Sequence, residues 1–552
     1  MRRRSLAAAL LAALPAFCAL TAVSGSAQDA PAAAQPADPN AASPADQQTA
    51  TPAAAEPAAA DQAQTGQAEA TPAEAAPPPE GSPVVASIRT KLADPALAKT
   101  ASPDDVAALV AFYNERGEAV WMTDMGFSRE ALAAIDEVLK ADDWGLSSAA
   151  FDLPPAGELP ASADAQAASE IKLDLAILKY ARNARGGRTE PTKLSKNIDQ
   201  TLSLRNPKTV LTEIAAAPEP DAYLRSLHPK HEPFQRLHQA LLKARAEAEA
   251  GAKPANMQRI VINMERWRWM PEDLGALYVQ INVPEFMVYI VKDGKTIHAE
   301  KVVVGKPVYA TPIFSADLKS IVFNPEWTVP STIIREDLLP KLRGGGGMFG
   351  GSNTAVLKQH QLQVNYNGRK VDPSSIDWKR VNMGAVSFTQ APGPTNVLGK
   401  VKFLYPNRHS VYMHDTIKRD LLTRTVRAEG HHCPRVANPG KVAAVLLAED
   451  KGMTQAQIDK LLATGYNSAV TLDHHVPVHT TYFTAVVDDQ GKVATFADIY
   501  KLDGGITTAL LGKGAKPEAI ADNASAKAKP NKPSAPAGGV AGAAGSVADS
   551  TP

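Results

Sequence analysis

The sequence predicts an α+β, multidomain chain with a helical N-terminal half and a mostly β C-terminal half. Three observations predict it. Over residues 84–250 apolar side chains recur at helical spacing behind recognisable helix starts. Over 257–505 the pattern changes to β-branched alternation broken by turn residues. Both ends of the chain are low in complexity and cannot contribute to either core.

The N-terminus reads MRRRSLAAALLAALPAFCALTAVSGSAQDA. Arg2, Arg3 and Arg4 form a basic start, Leu6 to Val23 an apolar run, and Gly25-Ser26-Ala27 a small-residue cleavage site. Residues 1–27 therefore read as a secretory signal peptide, with a retained membrane anchor as the alternative. Residues 28–83 are Ala, Pro, Gln, Thr and acid, with no Lys or Arg between Arg4 and Arg89. Such a segment has almost nothing to bury and reads as a solvated tether. Residues 511–552 read as a second low-complexity tail. The 58 basic and 58 acidic residues cancel, which argues against nucleic acid as a partner.

In the helical half, SPDDVAALVAFYNERG places Ser102 at an N-cap, Pro103 at the first helical position and two acids in the first turn. REALAAIDEVLKADDWGL, IKLDLAILKYARNARGGR and EPFQRLHQALLKARAEAEAGAK follow the same logic. No paired carboxylates or metal spacing occur there, so this half reads as scaffold or recognition. In the β half, ALYVQINVPEFMVYIVKDGKTIHAEKVVVGK alternates around Asp293-Gly294, a hairpin signal. STIIREDLLPKL reads as a helix, followed by the glycine-rich RGGGGMFGGSN. Residues 336–390 read as an inserted lid over a binding site, with a plain solvated loop as the alternative.

The chemistry concentrates in RAEGHHCPRV, residues 427–436. The chain has two cysteines, Cys18 and Cys433. Cleavage of the signal removes Cys18 and leaves one cysteine in an oxidising compartment. That points to intermolecular pairing or a reactive thiol, against the plainer reading of a buried inert side chain. A thiolate nucleophile needs a base nearby. His431 and His432 are adjacent and their side chains diverge. His414, nineteen residues upstream in VYMHDT, could reach Cys433 from an antiparallel neighbouring strand, or could be a core histidine. His431, His432 and Cys433 are also zinc-ligand types, and DHHVPVHTTYF adds His474, His475 and His479. There is no HExxH or paired-cysteine signature, so neither a metal nor another cofactor is expected.

The stretch YMHDT…VRAEGHHCPRV resembles the L,D-transpeptidases with a YkuD-type catalytic domain. That family carries a histidine and, some eighteen residues on, a Ser/Thr–His/Ser–Gly–Cys–x–Arg stretch. RIVINMERWRWMPEDLG, VVVGKPVYATPIFS, IVFNPEWTVPSTI, QAPGPTNVLGKVKFLYPN and VPVHTTYFTAVVDDQG are similar to its large proteobacterial branch. VAALVAFYNERGEAVWM and LKYARNARGGRTEP are similar to that branch's helical scaffold domain. The resemblance covers roughly residues 90–505. It implies a helical scaffold over 84–250 and a YkuD-type catalytic domain over 257–505. Two positions depart from the pattern: Gly430 stands where the family has Ser/Thr, and His432 where it has the glycine before the nucleophile. The family's small peptidoglycan-binding insert has no counterpart in the short AEAEAGAKPANM junction.

The resemblance implies a periplasmic enzyme acting on peptidoglycan stem peptides. Cys433 is the implied nucleophile and His414 the implied base. The amides around His432 and Cys433 would hold the oxyanion, with His431 at the motif histidine position. Tyr412 would assist or simply pack, and Arg435 would bind a stem carboxylate, fix the loop or form an ion pair. The implied acceptor is the amine of a second stem or of an outer-membrane protein, and carbapenem β-lactams are implied inhibitors. A hydrolase or carboxypeptidase of the same fold is one alternative. A catalytically weak peptidoglycan-binding scaffold is another, because a side chain at position 432 could crowd the site or strain a glycine backbone.

Overall fold

The computed structural model describes residues 80–157, 160–344 and 354–512. The readings of a signal at 1–27, a tether up to residue 79, a tail beyond residue 512 and the glycine run 345–353 fall outside the described residues.

The helical half starts as its caps dictate. Pro83–Leu92 opens with Ser82 Oγ accepting from Val85 N, and Arg129–Leu139 with Ser128 Oγ accepting from Ala131 N. Pro103–Asn114 has Ser102 at its N-cap and Pro103 in its first turn. The 24-residue helix Ala163–Gly186 is the spine, and Leu173, Ile177, Tyr180 and Ala184 on it are fully buried. Around it pack Pro207–Ala216 and Pro220–Ser226, filling one apolar core with Ile88, Leu109, Tyr113, Trp121 and Val138.

That core contains two acids one helical turn apart. Glu170 accepts from the backbone N–H groups of Trp121 and Met122 at 3.0 and 2.9 Å, and Asp174 accepts from Trp121 Nε1 at 2.7 Å. Tyr113 Oη lies 2.9 Å from Glu170 and 2.7 Å from Asp174. A phenol has one proton, so it can donate to only one of them; the second contact needs a proton on a carboxyl. Burial, and then the charge of Glu170, push the Asp174 pKa up to about 8, against weaker opposition from the hydrogen bonds and Arg116. A carboxyl whose pKa is higher folded than unfolded stabilises the fold at low pH and loses that contribution as pH rises through the folded value. Stability should therefore decline between pH 4 and 8, by at most about 1.4 kcal/mol per pH unit for this one proton. Denaturant titrations across that range, with Asp174→Asn flattening the slope, check this.

Met257–Arg268 is a helix, whereas the alternation read from residue 257 onwards suggested that the β half begins there. Its residues are buried on nearly every side, polar ones included, so no solvent stripe marks it as helical. It joins two cores. Ile260, Met264 and Trp267 pack with Phe234, Leu237 and Leu241 of the helix Glu232–Glu249 and with Phe483 of the β half. Glu265 accepts from Arg188 N, Thr189 N and Thr189 Oγ1 at 2.7, 2.8 and 2.7 Å. This explains Gly187, whose φ is +85° and whose Cβ would stand 2.5 Å from the Glu265 carboxylate. On another face Arg266 pairs with buried Asp503 at 2.7 Å, holding the last helix, Leu502–Leu511.

The β half is built on a ten-stranded sheet. In chain order its strands are β1 (Ile198–Asp199), β2 (Leu277–Asn282), β3 (Met287–Lys292), β4 (Lys295–Gly305), β5 (Ile313–Phe323), β6 (Val401–Leu404), β7 (Met413–His414), β8 (Ala428–Gly430), β9 (Arg435–Val436) and β10 (Ser468–Thr481). They pair in the order β6-β7-β9-β4-β3-β2-β10-β5, and β5 pairs back to β6, so the sheet closes on itself. β1 lies along β5, and β8 along β4. The hairpin β3–β4 turns at Asp293 and Gly294, both with positive φ, as that dipeptide predicts. Val279, Ile281, Val304, Leu318, Ile321, Phe323 and Phe403 fill the interior, and the helix Pro439–Lys451 covers it with Val442, Ala443, Leu446 and Leu447. A separate four-stranded sheet orders Arg369–Val371, Gln363–Tyr366, Val386–Gln390 and Trp327–Thr328. Three of its four strands come from the stretch read as a lid.

Candidate active site

Two short strands bring the predicted pair together. β7 ends on His414 and β9 starts on Arg435, and they pair in parallel with His414 opposite Arg435. His414 N donates to Pro434 O at 3.1 Å, which sets the histidine beside the Pro434–Arg435 peptide, one residue past the cysteine. The antiparallel neighbour expected from the sequence is thus corrected to a parallel one. The connection runs through the 3-10 turn Arg419–Thr423 and then along β4 as β8, so the chain re-enters the sheet in its original direction.

On the other side of β7, antiparallel β6 places Lys402 opposite His414. Lys402, His414 and Arg435 therefore form one row across three strands, and residues in such a row share a sheet face about 5 Å apart. The Lys402 ammonium lies over the Tyr412 ring, 4.2 Å from its centroid. Trp327, from the smaller sheet, hydrogen-bonds the Tyr412 side chain, which leaves the Tyr412 hydroxyl proton free to donate elsewhere.

Cys433 is a free, half-buried thiol. Burial raises its pKa, and the Tyr412 backbone hydrogen bond, Arg435 and Lys402 oppose the rise. His414 is buried, and burial, with Arg435 and then Lys402 beside it, pushes its pKa down to about 3 against a small contrary pull from the Asp415 backbone. Its Nδ1 makes no hydrogen bond. The resting pair is a neutral thiol beside a neutral imidazole. The next residue, Asp415, serves the fold: it accepts from Lys400 N at 2.8 Å and pairs with Arg419 at 2.6 Å.

The two departures before the cysteine have a structural answer. His432 is not among the residues with positive φ, so no glycine-only conformation is forced on it. Its Nδ1–H donates to Ala310 O at 3.0 Å, and its carbonyl accepts from Thr311 Oγ1 at 2.7 Å. His431 stacks on Tyr309, ring centroids 4.2 Å apart, and its Nε2 lies 3.9 Å from Asp337. The histidines diverge as expected, and each docks on the 306–311 turn. That turn is held by Lys306 N donating to Gly430 O at 2.9 Å, Gly305 N to Thr311 Oγ1 at 2.9 Å, and Tyr500 Oη to Gly305 O at 2.6 Å.

The histidines of DHHVPVHTTYF sit on β10 and go elsewhere. His474 meets Asp450 at 3.1 Å, His475 lies 3.7 Å from Asp317, and His479 is bonded through both nitrogens, to Ser315 and to Leu274 O. No group of three metal-ligand side chains converges among the described residues.

Residues 276–451, which hold this row and the thiol, match the sequence profile of the L,D-transpeptidase catalytic domain, YkuD. The chain carries an L,D-transpeptidase catalytic domain. Residues 107–241 match a scaffold domain. A Haemophilus influenzae protein, whose name assigns it provisionally to the L,D-transpeptidases, is 32% identical over 260 residues, covering 47% of this chain and 51% of the relative. The chain thus spans about half the length of the curated relative it matches.

Within the L,D-transpeptidase domain the structure brings together Cys433, His414, Tyr412 and Arg435, with His431 and His432 on the rim. Sequence reasoning missed Lys402, Trp327 and Tyr405. Tyr405 is buried with no hydrogen bond on its hydroxyl, and burial, then the nearness of Cys433, push its pKa up. Spacing could have flagged Lys402 alone: it is a cation on a strand between buried Val401 and Phe403.

Proposed function

We propose that the protein is a peptidoglycan L,D-transpeptidase that transfers an acyl group through Cys433. The supporting observation is a free Cys433 thiol two residues before Arg435, which pairs in parallel with the buried His414, inside an L,D-transpeptidase catalytic domain. The Cys433 sulfur attacks the carbonyl of the third residue of a tetrapeptide stem while His414 takes the thiol proton. The C–N bond to the terminal D-Ala breaks, His414 returns the proton to the departing amine, and a thioester remains. An acceptor amine then attacks the thioester, losing its proton to His414, and the thiol is restored. The amides of His432 and Cys433 hold the oxyanion, and the free Tyr412 hydroxyl proton adds a donor. The smaller sheet acts as the lid over the donor, through Trp327.

The acceptor is the amine of a second stem or of an outer-membrane protein, and the site of action is the periplasm, reached through the N-terminal signal. No helix among the described residues is long and apolar enough to cross a membrane. Intact-mass measurement after incubation with a tetrapeptide stem or a carbapenem tests the reading. A covalent adduct on the wild type and none on Cys433→Ala is the expected result. No adduct on a folded, reduced wild type would reject it. Product analysis then separates amine from water as acceptor.

A further inference from the structure

We infer that Lys402 and Arg435, flanking His414 across β6, β7 and β9, form an anion site that holds the free carboxylate of the donor peptide's last residue. This deepens the acyl-transfer reading and rests on it.

The argument starts from two cations without counterions. Both are half-buried, and neither makes an ion pair or a side-chain hydrogen bond with any described residue; the Arg435 Nε is fully buried and unpartnered. Residues 345–353, the internal glycine-rich run outside the described residues, contain no Asp or Glu to supply one. Elsewhere buried guanidinium groups find acceptors: Arg266 has Asp503, and Arg268 and Arg427 bond backbone carbonyls. Leaving two partly desolvated cations on either side of one histidine is unfavourable unless an anion joins them. The ammonium rests on the Tyr412 ring, a contact worth far less than a carboxylate.

The spacing fits a particular anion. Arg435 is two residues from the nucleophile, about 6–7 Å along an extended chain. Lys402 lies two strands from Arg435 across the row, with His414 between them. A carboxylate one residue beyond the attacked carbonyl lies about 4 Å from it along the donor backbone. It can therefore sit over the row while the carbonyl faces the sulfur. A forked guanidinium and a point-like ammonium on either side of one carboxylate would read the end of the donor and reject a chain that continues. The site would thus choose a donor by its terminus.

The test compares a tetrapeptide donor with the same peptide carrying a C-terminal amide. Wild type should favour the free acid at least tenfold in kcat/KM. Lys402→Met and Arg435→Gln should each bring the ratio close to one, and Lys402→Arg should keep it. A change in thiol reactivity moves both donors together, so the ratio isolates recognition. An unchanged ratio in both neutral variants would overturn the site. A second measurement needs no turnover and no variant: protection of wild-type Cys433 from iodoacetamide by N-acetyl-D-alanine against its amide. Protection by the acid alone supports the site even if no donor reacts, in which case the acyl-transfer reading fails by itself. Equal protection, or none, overturns it.

Discussion

His414→Gln is expected to slow acylation by a tetrapeptide donor about 10²–10⁴-fold, the usual contribution of a positioned general base. The same variant should leave alkylation of Cys433 by a small neutral reagent nearly unchanged. The two results together separate mechanisms. In a preformed thiolate–imidazolium pair the histidine makes the thiol reactive toward every electrophile, and removing it silences both reactions. Here burial and the two cations hold His414 neutral, with a pKa near 3, while burial raises that of Cys433. Alkylation should therefore climb with pH into the alkaline range, with no plateau in the neutral region, in wild type and variant alike. Rapid-mixing alkylation from pH 5 to 10 beside acylation kinetics reads both. A wild-type plateau at neutral pH that disappears in the variant would establish the ion pair instead.

Gly305→Ala should abolish activity and lower stability by about 3–5 kcal/mol, in the range where something in the backbone must move. The added Cβ would stand 2.0 Å from Tyr309 O and 3.0 Å from Thr311 N. The φ of Gly305 is not positive, so the requirement is steric rather than conformational. Relief must come from the 306–311 turn, which carries the partners of His431 and His432. Gly430→Ser is the contrasting case. Its Cβ would meet Val304 O at 3.1 Å, with Val304 C at 3.5 Å and Arg435 Nε at 3.8 Å in ordinary contact, and a shift of a few tenths of an ångström accommodates it. The serine variant should keep its fold and most of its activity. Thermal unfolding and donor turnover on both proteins test the pair.

Local chemistry made much of this legible in advance. The N-cap position of Ser102 and the Asp293-Gly294 hairpin depend on a few neighbouring residues, and the sequence states them directly. Cys433 and His414 could be paired from composition and spacing, and from a family resemblance. The direction of their strands could not, because it depends on the route taken by residues 415–434. Lys402 was invisible for a related reason: an isolated strand lysine becomes part of a row only when register is known. The strain feared at His432 was a question of φ and of a distant acceptor, Ala310 O, neither of which a sequence displays. The helix Met257–Arg268 was obscured by being buried all round.

That helix has a consequence for how the protein can be divided. The catalytic-domain match begins at residue 276, after the helix has ended. Yet Trp267 lies against Phe483 with ring centroids 4.5 Å apart, Arg266 neutralises Asp503, and Glu265 gathers the turn at residues 187–189. A cut at the match boundary would strand Asp503 without its cation and open the back of the sheet to water. A cut before the helix would take away the Arg188 and Thr189 donors that its Glu265 carboxylate accepts from. The boundary between the two matched regions is therefore a packed seam, and the helix is the part of the chain that both sides share.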